Sequence, residues 1–377
     1  LQCKKLTRIV IPDGVTSIGN WAFSNCKSLT HVTIPESVTF IGESAFWRCS
    51  SLKSVTIPGS VTDIWYSAFC HCESLTSVSI PGSVTSIKRG AFRECKSLKN
   101  ITIPGSVTSI GGNAFENCES LKSITIPDGI KYIEEEAFSG CKSLTDVTIP
   151  GSVMRIGGDA FKNCESLTSI TILDGVTDIG FGAFARCESL TRVTIPKSVK
   201  SIGNWAFSGC KSLTSVTIPD GVTSIGEGAF EGCGSLTSVI IPDSVTYIGE
   251  EAFKCCGLTD VSIPNGVESI GFGAFEQCES LTRVTIPKSV VSIGDDAFEG
   301  CGSLTSVTVP KRLELVFKDC RTEKIEYSDY DTSRDFFVNE YGMLEKYTGI
   351  GGDVEIPEGV TGICSYAFFG YALWYGD

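Results

Sequence analysis

One unit of 23 residues recurs from the first residues to beyond residue 300, and this periodicity constrains the fold more than any other feature of the chain. The unit reads Leu-x-x-Val-x-Ile-Pro-x-x-Val-x-x-Ile-Gly-x-x-Ala-Phe-x-x-Cys-x-Ser. A single unit is too short to bury its own apolar residues, whereas stacked units bury a continuous core between neighbours. The repeat therefore predicts a solenoid. The leucines that mark it are Leu6, Leu29, Leu52, Leu75, Leu98, Leu121, Leu144, Leu167, Leu190, Leu213, Leu236, Leu258, Leu281 and Leu304.

The first half of each unit has the pattern of a short strand. In the second unit Leu29, Val32 and Ile34 are apolar, and Thr33 stands between two of them. This alternation predicts a strand with the three apolar side chains inward and Thr33 outward. Pro35 has no amide hydrogen, so it is expected to end the strand pairing.

The second half of the unit predicts a further brief strand and a turn. Val38 and Ile41 form another short apolar pair. Ala45, Phe46 and Cys49 follow with the spacing of a single helical or 3₁₀ turn. Each coil is therefore expected to contain two short parallel strands and one helical turn.

The Ile-Pro, Ile-Gly and Ala-Phe-x-x-Cys signatures at this period resemble the BspA-like class of bacterial leucine-rich repeats. The resemblance covers about residues 1–320 and a last unit near 354–370. It implies a leucine-rich repeat solenoid of the α/β class, wound as a right-handed curved superhelix. It also implies a place on a microbial surface, with adhesion or host-matrix binding as the role most often proposed.

The pattern divides the chain into three parts. Residues 1–320 are expected to form a leucine-rich repeat solenoid of about 14 coils, with a local kink where Leu258 follows Leu236 after 22 residues instead of 23. Residues 321–353 break the period and are interpreted as an inserted β-element with a hairpin formed by 336–338 and 343–347, or as a cap over the last coil. Residues 354–377 hold the final repeat and the C-terminal end.

Composition excludes several functions. The 31 Lys and Arg against 44 Asp and Glu give a net charge of −13, which argues against a nucleic-acid partner. The chain has only two histidines, which lowers the expectation of acid–base catalysis or zinc binding. No apolar run approaches the ~20 residues of a membrane span, so no membrane insertion is expected. The chain is interpreted as a protein that is not an enzyme, with no catalytic residue, cofactor or metal site.

Two segments resemble metal-binding motifs but lack some of the residues that such motifs require. Cys70-His71-Cys72 lacks zinc spacing, and Cys72 belongs to the repeated cysteine position. The segment 329–340 places oxygen ligands like a calcium loop, but Arg334 stands where the sharp turn needs glycine. A solvated acidic turn explains that segment better.

Most of the 18 cysteines recur at one position of the unit, three residues after the repeated Phe. A column of identical residues on neighbouring coils points its side chains in one direction, and pairing neighbours would distort alternate coils. Free cysteine packs well as a small buried apolar residue. The sequence therefore predicts a ladder of reduced, buried thiols.

Aromatic residues in the first coils depart most from the repeat. The variable positions mostly hold Ser, Thr, Glu, Lys or Gly, whereas a few positions near the N-terminus hold large rings. Clustered surface aromatics are typical of binding hot spots. Ordinary surface, or an N-terminal core, is the alternative interpretation. The candidate partner-binding residues are Trp21, His31, Phe40, Trp47, Trp65 and Tyr66.

Two function classes remain open. The first is an adhesin-like, extracellular or cell-surface protein that presents its leucine-rich repeat surface to a protein or glycan on a host or neighbouring cell. The second is a structural surface rod or spacer without a specific ligand. The threonines expected to face outward from successive strands, such as Thr33, Thr56 and Thr102, could also form an ice-binding array, but strand propensity explains β-branched residues at those positions.

Overall fold

The computed structural model describes residue 3, residues 5–310, residues 313, 316 and 317, and the backbone of four short strands between 324 and 363. Most coils over 5–310 contain two short strands, and equivalent strands of successive coils lie side by side; in the coil that begins at Leu121 the first strand is reduced to isolated bridges at Ser123. The described strands, numbered β1 to β30 in chain order, fall into two series that run along the stack and a short C-terminal group.

The first series begins two residues after the repeated leucine. Its members are β1 (Arg8–Val10), β3 (His31–Thr33), β5 (Ser54–Thr56), β7 (Ser77–Ser79), β9 (Asn100–Ile101), β12 (Asp146–Ile149), β14 (Ser169–Ile172), β16 (Arg192–Thr194), β18 (Ser215–Thr217), β20 (Ser238–Ile240), β22 (Asp260–Ser262), β24 (Arg283–Thr285), β26 (Ser306–Val309) and β27 (Lys324–Tyr327).

The second series contains the two residues before the repeated Gly. Its members are β2 (Ser17–Ile18), β4 (Phe40–Ile41), β6 (Asp63–Ile64), β8 (Ser86–Ile87), β10 (Ser109–Ile110), β11 (Tyr132–Ile133), β13 (Arg155–Ile156), β15 (Asp178–Ile179), β17 (Ser201–Ile202), β19 (Ser224–Ile225), β21 (Tyr247–Ile248), β23 (Ser269–Ile270) and β25 (Ser292–Ile293).

Neighbouring strands pair in parallel with a register of one repeat, as in Val147 against Ile170 and Ile156 against Ile179. The first-series side chains alternate as predicted, with Val147 buried and Thr148 exposed. Stacking gives about 13 turns. The prediction of a leucine-rich repeat solenoid built from parallel strands is therefore confirmed.

The Ala-Phe segment differs from the prediction, because over residues 5–310 it forms successive β-turns and not a helical turn. In the second coil the amide of Ala45 donates to the carbonyl of Gly42 at 3.2 Å, and that of Cys49 donates to Phe46 at 3.1 Å. Ser44 and Arg48, the third residues of these two turns, have φ of +53° and +56°. Such left-handed residues end a helix and are typical of type II turns.

Phenylalanine forms the axis of the core. Fourteen rings, from Phe23 to Phe317, stack one above another along the solenoid. Around mid-rod, Phe161 lies 5.2 Å from Phe138 and 5.5 Å from Phe184, with ring planes within 13°. The repeated Leu, Val, Ile and Ala side chains surround this stack and are buried with it.

The 22-residue unit interrupts one series only. The first-series sheet ends at β20 and a new one begins at β22, whereas the second-series sheet runs without a break from β11 to β25. Gly257 lies in the shortened segment, and a Cβ there would come within 2.4 Å of the carbonyl oxygen of Gly234. The irregularity predicted for this unit thus takes the form of a broken ladder on one side of the coil.

The C-terminal strands continue and then change this pattern. Strand β27 adds to β26 in parallel, so the first part of segment 321–353 still stacks on the solenoid. Strands β28 (Phe336–Val338) and β29 (Met343–Tyr347) pair antiparallel, which confirms the predicted hairpin. Strand β30 (Gly362–Ile363) pairs in parallel with β29. The calcium-like segment lies outside the described residues apart from 336–338, and so do Cys320, Cys364 and most of the final repeat.

Candidate functional site

The N-terminal aromatic residues occupy several positions of the unit, and the structure sorts them into two groups. Phe40 is in β4, and Trp65 and Tyr66 directly follow β6, on the second-series side of the coil. Trp21 and Trp47 lie in the β-turns around the Ala-Phe segment. Rings on adjacent coils meet when their positions in the unit are the same or lie within a few residues, because each coil stacks on the next.

The first group, which we call the Trp47 group, consists of Trp21, Trp47, Arg48 and His71. Trp21 meets Trp47 edge to face at a centroid distance of 6.0 Å, and Trp47 meets the ring of His71 at 6.4 Å. The guanidinium carbon of Arg48 lies 4.3 Å from the centre of a Trp47 ring, within the range of a cation–π interaction. This arrangement fixes the Trp47 ring between a cation and two aromatic neighbours.

The surroundings of the Trp47 group are polar. A depression of about 300 Å³ lies beside it, lined by Lys27, Arg48, Ser50, His71 and Glu73. Burial lowers the pKa of the His71 imidazole, so the ring is held neutral at neutral pH. Trp21 is 52% exposed. Its φ of +61° is a backbone conformation that is costly for a bulky residue.

The second group, which we call the Trp65 group, consists of Phe40, Trp65 and Tyr66. Trp65 meets Phe40 edge to face at 5.4 Å and Tyr66 at 6.2 Å. Tyr66 is 46% exposed, and the other two rings are half-buried. Two rings packed against Trp65 give an apolar surface group with a phenol at its edge.

His31 belongs to neither group. It lies in β3, on the first-series sheet, and its Nδ1 is 2.9 Å from the hydroxyl of Thr30. The six candidate residues therefore do not form one patch. The structure instead brings in His71 and Arg48, which the six candidates do not include.

A third aromatic group lies further along the rod. Phe181 is 52% exposed and meets Trp205 edge to face at 5.2 Å. Tyr132, in β11, is 50% exposed two coils before Phe181. The sequence signal for this group is the same as for the first two, namely a large ring at a position where most units carry a small or polar residue.

The cysteine ladder is internal and contains no disulfide among its described members. The sixteen cysteines among the described residues form no disulfide with one another, and the column members from Cys26 to Cys301 are buried. Burial raises the pKa of Cys49, Cys141 and Cys187 to about 12, which leaves them protonated and unreactive at neutral pH. Cys70, beside the Trp47 group, is also buried, and burial raises the pKa of its thiol to about 11.

The described residues hold no group of three or more His, Cys, Asp or Glu side chains arranged to bind a metal ion. Over the same part of the chain, no helix has the length and apolar character of a membrane span.

Parallel strands, an apolar stack within each coil and variable side chains on the outside define a leucine-rich repeat protein. The family model for BspA type leucine rich repeat regions matches residues 1–122, 62–191, 108–222, 177–271 and 202–324. The chain belongs to the BspA type leucine-rich repeat family.

Solved structures agree with this assignment. A leucine-rich repeat protein from Bacteroides ovatus ATCC 8483 is 33% identical over 85% of this chain and 91% of its own length, with a TM-score of 0.69. A leucine rich cell surface protein from Faecalibacterium prausnitzii A2-165 is 35% identical over 87% of this chain and 89% of its own length, with a TM-score of 0.55. No curated protein matches the chain significantly.

Proposed function

We propose that the chain is a cell-surface binding protein without enzymatic activity, which presents its N-terminal aromatic groups to a protein or glycan on a host or neighbouring cell. The observation that carries the proposal is the Trp47 group. Trp21, Trp47 and His71 project from three successive coils, Trp21 and His71 both contact Trp47, and Arg48 lies over Trp47. Tryptophan and arginine are the residues most enriched in binding hot spots.

The core of the protein supports a binding role. The repeated residues of the unit are buried in packing or used in turns, which leaves the variable outer positions to determine function. Among these positions the aromatic groups replace the small or polar residues found in most units, although exposed rings lower solubility. The named cell-surface protein of Faecalibacterium prausnitzii, similar over most of its length, supports the extracellular location.

A binding experiment tests the proposal. The purified chain is immobilised and exposed to a mixture of extracellular-matrix proteins and to surface extracts of neighbouring bacteria, and retained partners are identified by mass spectrometry. The variant Trp47→Ser/Trp65→Ser/Tyr66→Ser should lose the retained partner while its melting temperature changes little. The variant Tyr247→Ser/Phe272→Ser, which removes exposed rings near the other end, is the matched control and should retain the partner.

Three results would contradict the proposal. If the triple variant binds as the wild type does, the N-terminal groups are ordinary surface. If it unfolds, the rings belong to an N-terminal core. If the wild type retains no partner under any condition, a surface spacer without a specific ligand explains the repeat better.

A further inference from the structure

The third aromatic group borders a recess in the middle of the rod, which we call the Tyr132–Phe181 recess. Its volume is about 490 Å³, and its walls include Tyr132, Phe181, Arg155, Glu134 and Glu135. Gly157 and Gly158, in the coil between the two rings, and Ile133 complete its lining. The recess is several coils away from the Trp47 and Trp65 groups and shares no residue with them.

Gly158 is the feature that the fold does not explain. A Cβ at Gly157 would come within 2.7 Å of the Ile133 carbonyl oxygen, so glycine is required there. At Gly158 a Cβ would meet only Phe181, at distances of 3.5 and 3.9 Å, which are ordinary contacts. Neither packing nor backbone conformation therefore demands glycine at 158. Its missing side chain keeps the space open between Glu135 and Phe181, the residues at the same position in the coils on either side.

The dimensions suit a ring-shaped group. In the core beside the recess, the stacked rings of successive coils lie 5.2 to 5.5 Å apart, and Tyr132 and Phe181 belong to coils separated by one further coil. Both rings line the same recess, and apolar ring faces pack on aromatic rings at centroid distances of about 4.5–7 Å. The contact of Trp205 with Phe181 holds one wall in place.

The charges of the recess indicate which ligand would fit. Glu134, Glu135 and Arg155 are exposed, and within the described part of the chain none of their side chains takes part in an ion pair. An anion would meet two carboxylates, and a ligand cation would compete with Arg155 for them. Hydroxyl groups both donate and accept hydrogen bonds, so a neutral polyhydroxyl ring satisfies acceptors and donor together.

We propose that the Tyr132–Phe181 recess binds a neutral carbohydrate, with a hexose ring packed between Tyr132 and Phe181 and its hydroxyls hydrogen-bonded by Glu134, Glu135 and Arg155. This site is independent of the N-terminal groups, and its existence does not require the partner proposed above. Aromatic walls with a few fixed polar groups are the usual composition of small-molecule sites.

The test uses the whole chain and defined sugars. Binding is measured on an array of neutral hexose and N-acetylhexosamine oligosaccharides, with sulfated and sialylated oligosaccharides and choline as separate arms. The wild type should bind at least one neutral oligosaccharide. Phe181→Ser should weaken that binding about tenfold, because it removes one stacking face. Gly158→Leu should abolish it by filling the recess while the melting temperature is unchanged.

Matched variants separate the site from general effects. Phe272→Ser removes an exposed ring at the position of Phe181 in another coil, and Gly234→Leu adds a side chain where a Cβ would meet nothing within 4 Å. Both should bind sugar as the wild type does, and so should the Trp47→Ser/Trp65→Ser/Tyr66→Ser variant. The proposal is overturned by binding only to charged sugars or to choline, by no binding to any neutral oligosaccharide, or by equal losses in the Phe181 and Phe272 variants.

Discussion

The thiol of Cys164 donates a hydrogen bond to the carbonyl oxygen of Phe138 in the preceding coil, at 3.4 Å. The same carbonyl accepts the amide of Cys141, and the relation recurs along the column at 3.1 to 3.4 Å. A small apolar residue would fill the space, but it would leave this second acceptor site of the carbonyl unused. The link between coils explains why cysteine, which combines small size with a weak donor, recurs at this position.

Thiol titration should find few reactive groups in the native protein and most of the 18 after denaturation. Among the described cysteines, Cys3 is exposed and Cys255 is half-exposed, so these should be alkylated first. The buried column should react only on unfolding. Peptide mapping by mass spectrometry identifies the labelled positions, and finding mainly disulfides would disprove the reduced ladder.

Stability should fall at alkaline pH because of the same column. Burial raises the pKa of Cys141 and Cys187 from 9.0 to about 12. Their contribution to folding is therefore complete below pH 9 and is lost as the pH rises from 9 toward 12, by about 1.4 kcal/mol per pH unit for each such thiol. Urea unfolding at pH 8 to 10.5 should show a steep decline in the free energy of unfolding, and a Cys141→Ala/Cys187→Ala variant should decline less steeply. Equal slopes for the two proteins would refute the assignment.

Removing one ring from the phenylalanine stack should be costly. Phe161 is completely buried, and Phe161→Ala leaves a cavity between two neighbouring rings. We expect a loss of about 3–5 kcal/mol in the free energy of unfolding. Thr171→Ser, at an exposed position of the first series, should stay within about 0.5 kcal/mol. Chemical denaturation compares the two variants. Similar losses would show that the assignment of Phe161 to the interior and Thr171 to the surface is wrong.

Two glycines offer a test of the left-handed turns. Gly232 has φ of +70°, and a Cβ there would meet no atom closer than 3.8 Å. Gly232→Ala should therefore cost about 1 kcal/mol through backbone conformation alone. Gly234 also has free space around it but an ordinary φ, and Gly234→Ala should be neutral or stabilise by less than about 1 kcal/mol. Thermal unfolding of both variants measures the difference, and equal melting temperatures would show that the turn conformation carries no cost.

The sequence predicts the stacking of coils well because each 23-residue unit of the sequence forms one coil of the structure. The inward Val147 and outward Thr148 follow from alternation alone, and the cysteine ladder follows from its constant position. The turns around Ala-Phe do not follow, because neighbouring coils help to hold them. The amide of Ser44 donates to Tyr66 at 2.9 Å and that of Arg48 to Cys70 at 2.8 Å, so a single unit lacks half of the bonds that stabilise the turn.

The candidate site is predicted less completely. The sequence indicates that rings accumulate in the first coils, but not that His31 lies apart on the other sheet while His71 meets Trp47. Nothing in the sequence distinguishes Arg48 from other surface arginines, and its position over Trp47 is visible only in the structure. The Tyr132–Phe181 recess is open because residue 158 is glycine. The chain has many glycines, and nothing in the sequence marks this one as different from the others.

The unbroken sheet from β11 to β25 has a consequence for multivalent recognition. Tyr132 and Tyr247 occupy the same place in two of its strands, and the one-residue shortening near Gly257 comes after Tyr247 without disturbing the ladder. The distance between exposed groups on this side is therefore fixed by hydrogen-bonded register and not by a flexible linker. A polymeric partner with a regular repeat would meet these groups at a constant pitch, so that once one contact forms, the next has a high effective concentration.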